Sequence, residues 1–437
     1  MTSSTPDPST PSSAPSPSPT PTAPGDLTPA AFLPDELLET FRERAVTHDR
    51  ENTFPEQDLA DLRERGYLRL LVPTELGGLG GTLLQASRIQ RRLAQAAPAT
   101  ALSMNMHLVI TGAALHAHRL GTVGVRGILE DAAADRLFAF GISEAGNEAM
   151  LFDSSTTAEL VTGADSENAG GYEFTGTKIF TSLAPVWDRL VVHGRIIDGD
   201  DGTSGTGSET EADPRLVFGV LERTDAVEVK DDWDTHGMRA TQSRTTRLHR
   251  APVTADRLIT TTPVGPNQDP FVMGIFGAFE LLIASVYTGI AERAIEVGAQ
   301  IATTRKSVTR GIVHADDPDI RWRLADAAIG IDGVILQLEK VTADLDALGT
   351  GESGPGITDH GARWFLHFSG VKSRATEAAI SAVDQVLRAS GGSHYFRRSE
   401  LERLSRDVRA GLYHPSDEES VHASYAKALL GDVGAER

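Results

Sequence analysis

Glu280 lies in Ala278-Phe-Glu-Leu-Leu-Ile-Ala284, a mostly apolar stretch where a lone carboxylate is costly unless it is paired or functional. Desolvation in such a setting raises a carboxyl pKa toward neutrality, which suits a general base. A buried ion pair or an interface carboxylate would use the same burial differently. Two histidines offer another way to move protons, because an unperturbed imidazole pKa of about 6.5 allows donation and acceptance near neutrality. His414, followed by Pro415, is either such a group or a turn residue. His107, in Met104-Asn-Met-His107, either lines a cavity or is a satisfied core histidine. Arg305 and the Gly391-Gly392 pair combine positive charge with backbone that a phosphate can approach closely, a solvated surface arginine being the plainer reading of Arg305. The chain has no cysteine, which excludes disulfides, thiolate metal sites, iron–sulfur clusters and a cysteine nucleophile together. Redox chemistry must therefore come from a bound cofactor, and no metal is expected.

These residues fall in segments of different character. Residues 1–30 are dominated by Pro, Ser, Thr and Ala, too poor in large apolar side chains to repay ordering, and read as a disordered tail. With neither a basic start nor a hydrophobic segment, the tail does not resemble a secretory signal, and a cytoplasmic address follows by default. Residues 31–135 have helical spacing, with Pro55 suited to a first turn, Gly66 to a cap, and a break near Ala97-Pro98 that divides a long apolar run into two helices. Residues 136–259 change to short Val, Ile, Thr and Phe stretches separated by turns, a small antiparallel β domain, with a glycine-rich acidic surface loop at 198–213. Residues 260–437 return to helices at 271–304, 318–348 and 359–390 and a last segment to Leu430, a four-helix bundle. The fold class is α+β. A hydrophobic fraction of 40% and a charged fraction of 23% are near globular averages, and no apolar run is expected to approach bilayer-spanning length. A formal net charge of −20 argues against nucleic-acid or membrane-surface partners.

Several separated strings, in order, resemble the acyl-CoA dehydrogenase superfamily. They are Phe140-Gly-Ile-Ser-Glu-Ala-Gly146, Gly176-Thr-Lys-Ile-Phe-Thr-Ser182, His236-Gly-Met-Arg-Ala-Thr-Gln-Ser243, Gly289-Ile-Ala-Glu-Arg-Ala294 with Thr304-Arg-Lys-Ser307, and Gly391-Gly392 with Leu401-Glu-Arg-Leu-Ser-Arg-Asp407. The resemblance spans residues 31–434 and implies an N-terminal helical domain, a central β domain, a C-terminal bundle and FAD. It sets Phe140, Ile142, Ser143, Phe180 and Ser182 against the flavin ring, which needs an apolar wall and hydrogen-bond partners where electron density accumulates. It sets Arg305, Gly391 and Gly392 on the FAD of a neighbouring copy, implying a homodimer or homotetramer. Arg388 stands where the family usually has glutamine. Arg239 could meet a phosphate of a coenzyme A chain.

Departures from the family pattern bear on the reaction. Ala145 stands where proline is usual, and Gly146-Asn-Glu-Ala-Met150 replaces a glycine-rich phosphate-side string. The family's glutamate base commonly follows a tyrosine shortly after an Arg-Asp pair, yet Arg406-Asp407 leads here to His414-Pro415. Glu280 is near the position used by relatives of the isovaleryl-CoA dehydrogenase kind, one residue out of register, a turn of about 100° on a helix. The leading expectation is FAD-dependent α,β-dehydrogenation of an acyl-CoA thioester with Glu280 as base and an unassigned electron acceptor. The alternative is a two-component flavin monooxygenase resembling dibenzothiophene monooxygenases, using His414, His107 in the same cavity, and a separate flavin reductase. A third is a non-catalytic flavin- or acyl-binding partner subunit.

Overall fold

The computed structural model describes residues 27–162, 168–197 and 213–433. The expected tail lies outside those residues up to position 26, as does the acidic stretch at 198–212; Leu27 is buried. Helices come first: α1 (Pro29–Phe32), α2 (Asp35–Glu51), α3 (Glu56–Glu64), α4 (Leu83–Ala94), α5 (Pro98–Arg119) and α6 (Arg126–Ala133). Thr82 and Gln85 cap α4 reciprocally, each side chain accepting the other's backbone N–H. Pro98 opens α5 at a first-turn position where its missing N–H costs nothing, so the apolar run divides where the sequence predicts.

One sheet follows, built from β1 (Phe138–Gly141), β2 (Thr157–Leu160), β3 (Tyr172–Thr181), β4 (Arg189–Ile197), β5 (Arg215–Glu222), β6 (Val227–Val229), β7 (Arg244–Val253) and β8 (Leu258–Pro263). The strand order is β6-β7-β3-β2-β4-β5-β8, with β1 also on β4. Most pairings are antiparallel as expected, but β1 and β2 both run parallel to β4. Neither is joined to β4 by the tight turn that enforces antiparallel pairing.

The C-terminal part comprises α7 (Pro270–Thr304), α8 (Pro318–Thr350), α9 (Trp364–Ser390), α10 (Glu400–Asp407) and α11 (Glu418–Leu430). Three of these are long; the last segment, expected as one helix, is interrupted by a 3₁₀ stretch at Val408–Tyr413. Asp-Pro starts two of them: Asp269 accepts from the backbone of Phe271 and Val272, and Asp317 from Asp319 and Ile320, with proline next in each case. α7 has 35 residues and is therefore about 50 Å long. It is long and apolar enough to cross a membrane, which corrects the sequence expectation; 83% of its apolar window is buried inside the protein. The reason is enclosure: α4, α5, α8 and α9 all pack on it.

Glycines allow the closest of these approaches. A Cβ at Gly274 would lie 2.9 Å from Ala113 Cα on α5, and one at Gly289 only 2.3 Å from the Arg91 carbonyl oxygen on α4. Gly289→Val is expected to cost about 1–3 kcal/mol by overpacking. Denaturant unfolding measures this, and parental stability would show that α4 and α7 can separate freely.

Candidate active site

A buried ion pair builds the sheet side. Lys178 on β3 and Glu144, just past β1, meet at 2.7 Å with both side chains almost fully enclosed. The carboxylate also accepts from the hydroxyls of Ser154 (2.8 Å) and Thr156 (2.6 Å) and the backbone N–H of Ser155 (2.6 Å) and Thr156 (2.9 Å). Burial pushes Glu144 up, but Lys178 and these donors outweigh it and hold the carboxyl well below its usual range. Burial brings Lys178 down to about 8 against the pull of Glu144. The segment carrying Ile142 and Ser143 is thereby fixed to the start of β2, and Ile179 N–H donates to Ser143 O at 2.9 Å, laying that segment beside the end of β3.

Phe140, Ile142, Ser143, Phe180 and Ser182 are gathered along this edge. Phe180 is 53% exposed and has a φ of 54°, an arrangement that turns a large apolar face outward. The ring stands edge-on to Trp233 at 6.1 Å, and Trp233 Nε1 is buried without a hydrogen-bond partner. Ser182 and Ser243 share a 2.8 Å hydrogen bond, while Phe140 meets Phe279 of α7 at 6.3 Å. A planar ring with acceptor atoms at its rim fits an exposed aromatic face flanked by a buried, unanswered N–H.

A second buried cluster lies on the helix side. Glu280 and Tyr287 project from one face of α7, seven residues apart, toward Lys372 of α9 and the 411–416 segment. Ser416 Oγ donates to Glu280 Oε1 at 2.5 Å, and Glu280 Oε2 is buried with no partner. Burial pushes the Glu280 carboxyl up to about 7, with Ser416 and Lys372 pulling the other way. Tyr287 Oη and His414 Nδ1 are 3.3 Å apart. Burial, then the Lys372 ammonium, brings His414 down to about 3, so its imidazole is neutral at physiological pH.

Two residues expected at the site are held by other contacts. His107 is fully buried, with Nε2 at 2.8 Å from Leu68 O and Nδ1 accepting from Phe138 N–H at 3.1 Å, which occupies both ring nitrogens in tying α5 to β1. Arg239 commits its guanidinium to Asp49 O, Asp234 and Thr235 O. Arg388 is exposed on the last turn of α9, next to the Gly391-Gly392 pair with which the resemblance groups it. Arg305 reaches Ser390 O at 2.5 Å and Ser393 Oγ at 3.1 Å, so it adjoins Gly391, whose φ is 82°, and Gly392. This group sits at the far end of α7, roughly 35–40 Å along the helix axis from Glu280. Sequence reasoning missed Lys372 and Tyr287. A seven-residue interval from Glu280 was the available signal for Tyr287; Lys372, in Gly370-Val-Lys372, carried none.

Two family profiles match the chain: acyl-CoA dehydrogenase, N-terminal domain, over residues 31–123, and acyl-CoA dehydrogenase, C-terminal domain, over residues 281–417. L-evernosamine nitrososynthase from Micromonospora sp. is 30% identical over 392 residues, covering 88% of this chain and 86% of its own length. Dibenzothiophene monooxygenase from Mycolicibacterium goodii is 27% identical over 399 residues, covering 87% and 88%. The structure of KijD3 in complex with FMN and dTDP-3-amino-2,3,6-trideoxy-4-keto-3-methyl-D-glucose superposes with a TM-score of 0.76 at 27% identity, covering 95% of this chain and 97% of that one.

Removing one partner of a buried pair leaves the other charge uncompensated, so Glu144→Gln is expected to lower stability by about 3–5 kcal/mol. Chemical denaturation reads the loss; a change below about 1 kcal/mol would mean the pair does not fix the 142–144 segment.

Proposed function

The chain belongs to the acyl-CoA dehydrogenase superfamily, and on that premise we propose that it is a flavin-dependent monooxygenase acting on the amine nitrogen of a small molecule. Reduced flavin, delivered by a separate reductase, supplies two electrons, so that one atom of dioxygen enters the substrate and the other leaves as water. We take the flavin to be FMN, which the KijD3 complex holds; FAD rests on the family resemblance alone. Phe180 and Trp233 would hold the ring and Ser143 and Ser182 its polar rim. The distance between Arg305 and Glu280 along α7 supports a phosphate held by a second copy of the chain.

The observation that carries this reading is the helix-side cluster. A dehydrogenase base must present its carboxylate to the substrate, whereas Glu280 is hydrogen-bonded to Ser416 of the 411–416 segment and feels Lys372 only through charge. Behind Arg406-Asp407 the chain offers a neutral imidazole, His414, on the Tyr287 hydroxyl. A neutral imidazole presents one ring nitrogen as acceptor and the other as N–H donor, so it can hold the N–H of a neutral amine and donate to a departing oxygen. Arg406 is committed to Asp49 and Glu402, and Asp407 to Met238 N–H, so this pair ties the C-terminal segment down. The nitrososynthase and dibenzothiophene monooxygenase relatives support oxygenation over the acyl-CoA dehydrogenation expected first. One feature still favours dehydrogenation: a Glu280 carboxyl held near 7 suits a base.

Two measurements test the proposal. With a generic NADH:flavin reductase, FMN and ¹⁸O₂, amino sugars are expected to gain labelled oxygen, and His414→Gln to lower kcat by about 100-fold or more. Acyl-CoA added anaerobically to the flavin-loaded protein is expected to leave the flavin band unchanged; bleaching abolished by Glu280→Gln would replace oxygenation with dehydrogenation.

A further inference from the structure

Lys372 is 1% exposed, and its ammonium makes an unusual set of contacts. Three backbone carbonyls accept from Nζ: Gly411 at 2.9 Å, His414 at 3.1 Å and Ser416 at 3.2 Å. All three belong to the one segment that carries His414. Among the described residues Lys372 forms no ion pair; Glu280, Asp417 and Glu377 act on it through charge alone, and Glu280 reaches this segment through the Ser416 hydroxyl. Ser416 itself holds a φ of 56°, a backbone state an L residue leaves unless tertiary contacts oppose it. Burying an ammonium is expensive, and it is offset here by hydrogen bonds to a single short loop.

We propose that Lys372 is a positioning residue for His414, its ammonium and the Glu280–Ser416 hydrogen bond together fixing residues 411–416 so that the imidazole meets Tyr287. This rests on the proton-handling role given to His414 above. The mechanism is positional: misplacing a reacting group by about 1 Å can cost on the order of 100-fold in rate. Around His414 stand Tyr287 and Glu280 from α7, Lys372 from α9, and Asp417 beyond Ser416.

The test uses the full chain with FMN and a reductase. Lys372→Met keeps length and removes charge and donors; kcat is expected to fall about 10- to 100-fold while FMN affinity and the substrate KM stay near parental values. Its activity is also expected to fail at a higher pH on the acid side, because a positive charge that holds the imidazole pKa down is gone. Ser416→Ala loosens the same loop but keeps that charge, so kcat falls and the acid limb stays. A general loss of packing would move KM, FMN affinity and melting temperature together instead. If Lys372→Met does not fold, Lys372→Arg carries the test: its planar fork cannot serve the three carbonyls, so kcat falls with the limb in place. Parental kcat in whichever variant folds overturns the positioning role, provided His414→Gln is inactive. Full turnover in His414→Gln overturns the proton-handling role of His414 first.

Discussion

A helix that is apolar on nearly every side is stable in water only when other elements enclose it, and α7 imposes that constraint on the rest of the chain. Its 35 residues require neighbours along their whole length. α4 and α5 cover it from the N-terminal part, and α8 and α9 from the C-terminal part, so helices distant in sequence are bound into one body. Gly274 and Gly289 let backbones approach where any side chain would collide. Phe279 continues the contact to the sheet through Phe140. Enclosure also gives the few polar groups on α7 their meaning. Glu280 and Tyr287 are costly there, and each is either bonded or chemically poised.

Among the described residues two buried Glu–Lys sets stand out, and they behave in opposite ways. Glu144 meets Lys178 directly, and five further donors, the Asn147 amide among them, saturate its oxygens, so ionisation is favoured despite burial. Glu280 lacks a direct ammonium contact and has one oxygen unanswered, so burial prevails and the carboxyl rises to about 7. Lys372 correspondingly turns to carbonyl oxygens. Residue types alone do not distinguish the two sets; the count of donors on the carboxylate does. The first arrangement suits a fixed strut. The second leaves charge poised near the loop that holds His414.

Much of the fold was legible because its signals are local. Asp269-Pro270 and Asp317-Pro318 mark helix starts through a side-chain cap and a prefixed φ, and Ala97-Pro98 marks a break for the same reason. That the strings carrying Ser143 and Phe180 lie side by side was approachable from their order, since the structure joins them through Ile179 N–H and Ser143 O. Long-range commitments were not readable. That His107 spends both nitrogens on Leu68 and Phe138, and that Arg239 is held by Asp49, Asp234 and Thr235, depends on loops whose approach no periodicity encodes. The length of α7 and its need for flanking helices were legible from its apolar spacing, whereas its passing the length and hydropathy of a membrane span was not. Lys372 looked like any helical lysine because its three acceptors are backbone atoms about 40 residues away.

Acyl-CoA dehydrogenation and heteroatom oxygenation ask different things of the group facing the flavin. Removing a weakly acidic proton from carbon needs a strong, correctly aimed base that is ionised at working pH. Oxygenating an amine needs a neutral group that accepts the amine's N–H and donates to the departing oxygen. A carboxyl answers the first demand only when burial raises its pKa and nothing else occupies its oxygens. Glu280 meets the burial condition, yet Ser416 occupies one oxygen and aims it at the 411–416 loop. His414 meets the second demand, kept neutral by burial and by the same Lys372 that fixes its backbone. One ammonium therefore acts on the histidine in two ways, through geometry and through charge, which is why a substitution there separates the two contributions.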